Sequence, residues 1–282
     1  MDDIFLIGDK YLTDQFEYWI GNYLNITILG DTYLFLRTRT IQNRSVQPPF
    51  LTLDQEHYTL VMLHKLNINL EKRLNYPIST LGANYVEWSE DELKVTSKEN
   101  HKYQSLIGSL MYLMLGTWLD IAYAVGRFVC FAHNPSKDHF KAVGWICAYM
   151  NATAGFAIQY TKSNEDNIDP LCICDMNYAG ELSAGHWRKS ISGSICFVAG
   201  GVVSWSSKLQ KVHAISTMEA EYISLYTTGK QAAWICQIYK AISFPLTDPI
   251  YVSGNWTCRT YFFLWTFYFL MFLRNFLLCF PC

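Results

Sequence analysis

Leu171-Cys-Ile-Cys-Asp175 and, further along, Ser216-Thr-Met-Glu-Ala-Glu-Tyr222 are the two stretches from which the rest of this chain is read. The apolar run Leu171 to Cys174 is short and bounded by Pro170 on one side and by Asn177 and Gly180 on the other. It suits a buried strand that delivers Asp175 at its end. Residues 193–198 and 201–206 are two further β-rich runs, and Ala199-Gly200-Gly201 between them signals a tight hairpin. Three antiparallel strands are therefore expected. From Thr217 the pattern becomes helical, with Ala220, Ile223, Leu225, Ala232, Trp234 and Ile235 as apolar positions and Gly229 as the one interruption. Ser216 with Glu219 three residues on predicts a capping box, each side chain satisfying a backbone N–H of the other.

The helix separates two neighbouring carboxylates. At roughly 100° per residue, Glu219 and Glu221 stand about 200° apart, so only one of them can face Asp175. Glu219 has a structural task at the capping position, which leaves Glu221, one turn into the helix, as the better partner of Asp175 for a divalent metal. The alternative is that both are solvated acids on a surface helix.

Composition constrains the rest. The chain has 282 residues, enough for two modest domains, and 51% are hydrophobic, enough for buried cores. A net charge of −2 and an isoelectric point near 6.4 mean that any surface for nucleic-acid phosphates has to be local. Nine cysteines without regular spacing, and no secretory signal, predict a reduced intracellular chain in the cytoplasm or nucleus. Cys279-Phe-Pro-Cys282 is a lone C-x-x-C without a second pair to complete a zinc site.

Four motifs now combine: Asp175-Met-Asn-Tyr-Ala-Gly-Glu, Ser190-Ile-Ser-Gly-Ser, Gly200-Gly-Val-Val-Ser-Trp-Ser-Ser-Lys-Leu-Gln-Lys and Ser216-Thr-Met-Glu-Ala-Glu-Tyr-Ile-Ser-Leu. In order and spacing they resemble the ribonuclease H domain of copia-type LTR retrotransposon polyproteins. In that family the first Asp of "S-D-A-D-W-A-G" and the second Glu of "T-E-A-E-Y" bind metal. The resemblance therefore implies that Asp175 and Glu221 are catalytic metal ligands, with Mg²⁺ as cofactor and an RNA–DNA hybrid as partner. Asn177 replaces an acid of the family at a position taken as non-catalytic.

The resemblance extends towards the start of the chain. Met1-Asp2-Asp3-Ile4-Phe5-Leu6-Ile7-Gly8 places paired carboxylates before an apolar run expected to be a strand. With residues 24–36, 51–58 and 77–80, it looks like the segment that follows "Y-V-D-D" in copia-type reverse transcriptases. Asp2 and Asp3 then correspond to the Mg²⁺-holding pair of the polymerase palm, and the fingers and earlier palm strands are missing. Residues 103–149 resemble the family's connection and read as helices broken at Asn134-Pro135-Ser136, with Ser136 and Lys137 opening the second. Asp120 and His139 lie there and read as structural. Trp118-Leu119 takes the place of the family's Arg-Pro. The polar residues 86–101 are expected to be a linker.

Pro249-Ile-Tyr-Val reads as a fourth strand, parallel to the first across a helical crossover. At its exit the family carries a third carboxylate, where this chain has Gly254 or Asn255 according to alignment. Asp248 lies before that strand. Tyr261 to Phe280 is almost wholly aromatic and aliphatic, with three readings: a membrane span burdened by Arg274, a core or interface helix, or a loss of reading frame.

The expected fold is α/β: a ribonuclease H-like mixed sheet with helices, preceded by an α+β reverse-transcriptase palm and thumb remnant and a helical connection. The expected segments are 1–85 palm and thumb, 86–163 linker and connection, 164–258 an incomplete ribonuclease H-like domain, and 259–282 a hydrophobic tail. The implied function is a copia-type polyprotein remnant whose ancestral role is cleavage of RNA in RNA–DNA hybrids, impaired here. The alternative is a non-enzymatic chain that binds nucleic acid or sits on a membrane through 261–280.

Overall fold

Asp9 opens the first element by accepting a 2.9 Å hydrogen bond from the Tyr11 N–H, which satisfies a donor that the first helical turn leaves free. In the computed structural model, which describes residues 4–28, 33–66, 74–77, 96–161, 169–180, 188–244, 246, 250–254 and 279–280, this helix is α1 (Lys10–Gly21). The run Ile4 to Ile7 ahead of it forms no strand, contrary to expectation, and Ile4 and Ile7 are exposed. Apolar alternation makes a strand only where a neighbour takes up its N–H and C=O groups.

A meander follows: β1 (Leu34–Phe35), β2 (Thr38–Asn43) and β3 (Phe50–Asp54), antiparallel throughout. Arg39 on β2 ties the meander to α2 (Glu56–Lys65) by pairing with Asp54 at 2.9 Å and Glu56 at 2.7 Å. The helical layer comprises α3 (Ser97–Gly116), a 3₁₀ turn (Leu119–Ile121), α4 (Ala122–Val129) and α5 (Lys137–Ala152). The expected linker 86–101 is thus corrected at its end, because a Thr96–Glu99 capping box starts α3 at Ser97. Ser136 caps α5 as expected, with His139 in the reciprocal place: its Nδ1 accepts the Ser136 N–H at 3.0 Å. Asp120 accepts the Tyr149 hydroxyl. Both residues are structural, as the sequence indicated. Leu63, Tyr103, Leu110, Ile121, Phe128, Ile146 and Met150 form the core of this layer.

After α5 the chain returns to the first sheet as β4 (Ile158–Thr161), antiparallel to β3, giving the order β1-β2-β3-β4. The second sheet has the order β7-β6-β5-β8-β9, built from β5 (Leu171–Asn177), β6 (Ile191–Val198), β7 (Gly201–Leu209), β8 (Ile250–Gly254) and β9 (Cys279–Phe280). The strands β5, β6 and β7 are antiparallel, and β8 runs parallel to β5, as the sequence predicted. Ala199 (φ +49°) and Gly200 (φ +74°) form the two-residue turn between β6 and β7; two positive φ values match the right-handed twist of the flanking strands. The crossover helix is α6 (Thr217–Ala241), which continues through Gly229 because that residue is buried beneath it. Cys172, Cys174, Cys196, Leu225, Ala232, Ile235, Ile250 and Val252 pack between α6 and the sheet.

Two expectations are corrected here. Cys172 and Cys196 form a disulfide rather than two free thiols, since the β5–β6 register sets them directly opposite, a relation invisible in their sequence spacing. The reciprocal half of the Ser216 capping box goes elsewhere: Ser216 Oγ accepts the Glu219 N–H at 3.1 Å, but the Glu219 carboxylate takes the Ile215 N–H at 2.7 Å. Cys279 and Phe280, at the end of the apolar stretch for which three readings stand, pair with β8 as strand residues; the remainder of 261–280 lies outside the described residues. Among the described residues no helix is long and apolar enough to cross a membrane.

Candidate functional site

Asp175 is placed by pairing on both sides of its strand. It lies opposite Gly193 of β6, and the preceding Cys174 lies opposite Gly254 of β8. Three polar contacts fix α6 above this point. Ser224 Oγ donates to the Asp175 carbonyl at 2.8 Å and lies 3.3 Å from that of Gly193. Gln210 Nε2 donates to Ser192 Oγ and to the Ala220 carbonyl, both at 2.9 Å, and Ser194 pairs with Gln231 at 2.9 Å. Because Ser224 is one turn beyond Glu221, the same helix face carries Glu221 over the end of β5.

Glu221 is half-buried, and its Oε2 is buried without a hydrogen-bond partner. Its pKa is raised, first because burial removes water from the carboxylate and second because the Asp175 charge opposes a second negative charge nearby. Burial, followed by the charge of Glu221, also pushes the Cys174 thiol up to about 11. Asp175 itself is exposed. A carboxylate held unpartnered beside a second one is under electrostatic tension that a cation would relieve.

The structure therefore sets Glu221 within electrostatic reach of Asp175, with Gly254 on the neighbouring strand opposite Cys174, and Glu219 on the opposite side of α6. A concavity lined by Ser216, Met218, Glu219, Tyr222, Ile223 and Tyr226 lies on that opposite side, away from the carboxylate pair. Asp2, Asp3, Asp248 and Asn255 lie outside the described residues. Ser224 and Gln210, which fix the helix to the sheet, were not foreseen; the spacing of Ser224 three residues after Glu221 was the available signal.

Among the described residues no group of three or more His, Cys, Asp and Glu side chains converges. Two carboxylates bring a charge of about −2, against +4 for two divalent ions close together, and Gly254 adds no side chain. These residues do not fit a two-ion centre.

The chain is 34% identical over 243 residues to the retrovirus-related Pol polyprotein from transposon TNT 1-94 of Nicotiana tabacum, covering 83% of this chain and 17% of that protein. It is 30% identical over 250 residues to the Pol polyprotein from transposon RE2 of Arabidopsis thaliana, covering 88% of this chain and 16% of the relative. A secreted RxLR effector protein of Plasmopara viticola is 33% identical over 137 residues, 49% of this chain and 93% of the relative. The chain thus spans less than a fifth of the polyproteins it matches. No protein-family model and no solved structure matches it.

Proposed function

We propose, from the premise that this chain is a homologue of the retrovirus-related Pol polyproteins of plant transposons, that residues 164–258 are a copia-type ribonuclease H-like domain. Residues 1–163 then correspond to the reverse-transcriptase and connection region, with Asp2 and Asp3 at the polymerase metal position. The substrate class is an RNA–DNA hybrid, whose 2′-OH groups mark the RNA strand.

The observation that carries this reading is the anchoring of α6 over the end of β5 by Ser224, which sets Glu221 within electrostatic reach of Asp175, beside a β8 that runs parallel to β5. In such a domain Mg²⁺ would activate water and stabilise the leaving oxygen. Asp175 and Glu221 are the residues proposed to face it, but with Gly254 or Asn255 at the third position the set falls short. The proposed function is accordingly hybrid binding with strongly impaired cleavage.

A hybrid-cleavage assay with Mg²⁺ and then Mn²⁺ tests this. The unmodified chain is expected to cleave poorly, and Gly254→Asp or Asn255→Asp to gain activity that Asp175→Asn removes. Robust cleavage by the unmodified chain, abolished by Asp175→Asn, would show the impairment to be wrong. Restored variants that stay inert in both metals would refute the site itself.

A further inference from the structure

Between Arg188 and Met218 the sequence contains no Asp or Glu, yet it holds Arg188, Lys189, Lys208, Lys211 and His213. In a chain of net charge −2 this is a local concentration of positive charge, and the fold gathers it. Arg188 and Lys189 precede β6, whose first residue Ile191 is opposite Leu209, the last residue of β7. Lys208 is opposite Ser192, and Lys211 and His213 lie on the path from β7 to α6. All five residues therefore lie at the same end of β6 and β7, and this is also the end of β5 that carries Asp175.

The sheet face can be assigned as well. Ser192 and Ser194 both meet groups on the α6 side, through Gln210 and Gln231. Cross-strand partners share a face, so Lys208 rises on the side where α6 begins. Its backbone is one ladder step and two strands from that of Asp175, about 10 Å across at roughly 4.8 Å per strand, while Asp175, opposite Gly193, alternates to the other face. The N-terminal end of the 25-residue α6 adds the positive pole of its dipole at the same place. Lys208, Lys211, Arg188 and His213 are exposed, and among the described residues none of the five makes an ion pair. Like charges so grouped repel one another, and a polyanion laid across them removes that cost.

We infer that this strand-end patch, centred on Lys208 and Lys211, is a docking surface for the sugar–phosphate backbone of a nucleic acid laid across this end of the sheet. The inference rests on the proposed hybrid-binding function but concerns binding alone, so it stands or falls apart from cleavage. A patch of this kind reads charge rather than base sequence.

Fluorescence anisotropy of the full chain with a labelled RNA–DNA hybrid, in EDTA across a salt series, tests it without metal or turnover. Neutralising Lys208→Gln with Lys211→Gln should weaken binding at low salt and reduce the slope of log affinity against log salt by about 2, close to one per lost phosphate contact. The paired substitutions Lys98→Gln and Lys102→Gln at the start of α3 should leave that slope unchanged. The inference is overturned if the Lys208/Lys211 variant keeps the unmodified slope, if the α3 variant loses as much, or if the unmodified chain fails to bind at low salt. The cleavage assay judges the catalytic reading separately: binding with the predicted slope but without hydrolysis supports the patch whatever the carboxylates do.

Discussion

Glu221 concentrates the physical conflict at the site. Its carboxylate is half-buried, one oxygen has no partner, and Asp175 sets a second negative charge beside it. A folded-state pKa raised above the unfolded value means that the native protein binds more protons in the window between the two. Stability therefore falls as pH rises from the ordinary Glu range, about 4.3, through the raised value, and the full penalty is present above it. Glu221→Gln removes the charge and retains hydrogen-bonding groups, so at about pH 7 it should raise the melting temperature, and the gain should vanish below about pH 4. Thermal melts of both proteins across that range check this; a loss of stability at neutral pH would contradict the account of an unsatisfied carboxylate. The same residue shows where function and stability oppose one another, since a side chain poised for a cation is a cost to the fold without one.

Pairing between elements fixes what those residues do. The strands β5 and β6 are joined both by their ladder and by the Cys172–Cys196 disulfide, which closes a loop with a sequence separation of 24. Restricting an unfolded chain over a loop of that size stabilises the native state by about 3.5 kcal/mol in the chain-entropy account. Urea unfolding with and without dithiothreitol should show a loss of that order, and non-reducing peptide mapping should recover the Cys172–Cys196 peptide; unlinked peptides from the oxidised protein would refute the pairing. A second junction joins the second sheet to β4 of the first and to α3. The Thr161 N–H donates to Ala199 O at 3.0 Å, the Tyr160 hydroxyl to Val202 O at 2.7 Å, and the Trp205 indole to the Met114 carbonyl at 2.8 Å. Gly201 lies under the Tyr160 ring, where a Cβ would overlap the ring and stand 2.7 Å from the Gln159 carbonyl oxygen. Gly201→Ala should therefore separate β4 from β7 at a cost of about 1–3 kcal/mol. Calorimetry is expected to give one transition for the unmodified chain and a broadened or divided one for the variant; an unchanged melt would mean that the junction contributes little.

At the scale of the molecule, each sheet takes strands from distant parts of the sequence, and this sets the limit of what could be read beforehand. The first sheet joins β4 to the meander across the expected 85/86 division, so the segments 1–85 and 86–163 share a ladder. In the second, β8 returns beside β5 after the whole of α6. The sequence by itself determined the local elements: the strands around residues 171, 193 and 202, the Ala199-Gly200 turn, the Ser136 and Ser216 caps, and α6. Period, turn chemistry and capping act over a few residues, so they are written in neighbouring letters. Only the tertiary structure decided that Cys172 meets Cys196, that Gly254 stands next to the Asp175 position, that Ile4 to Ile7 goes unpaired, and that five scattered basic residues share one end of a sheet. Each of these depends on ladder register or on the presence of a neighbouring strand. Register is set jointly by side chains far apart in the chain, so no single stretch encodes it.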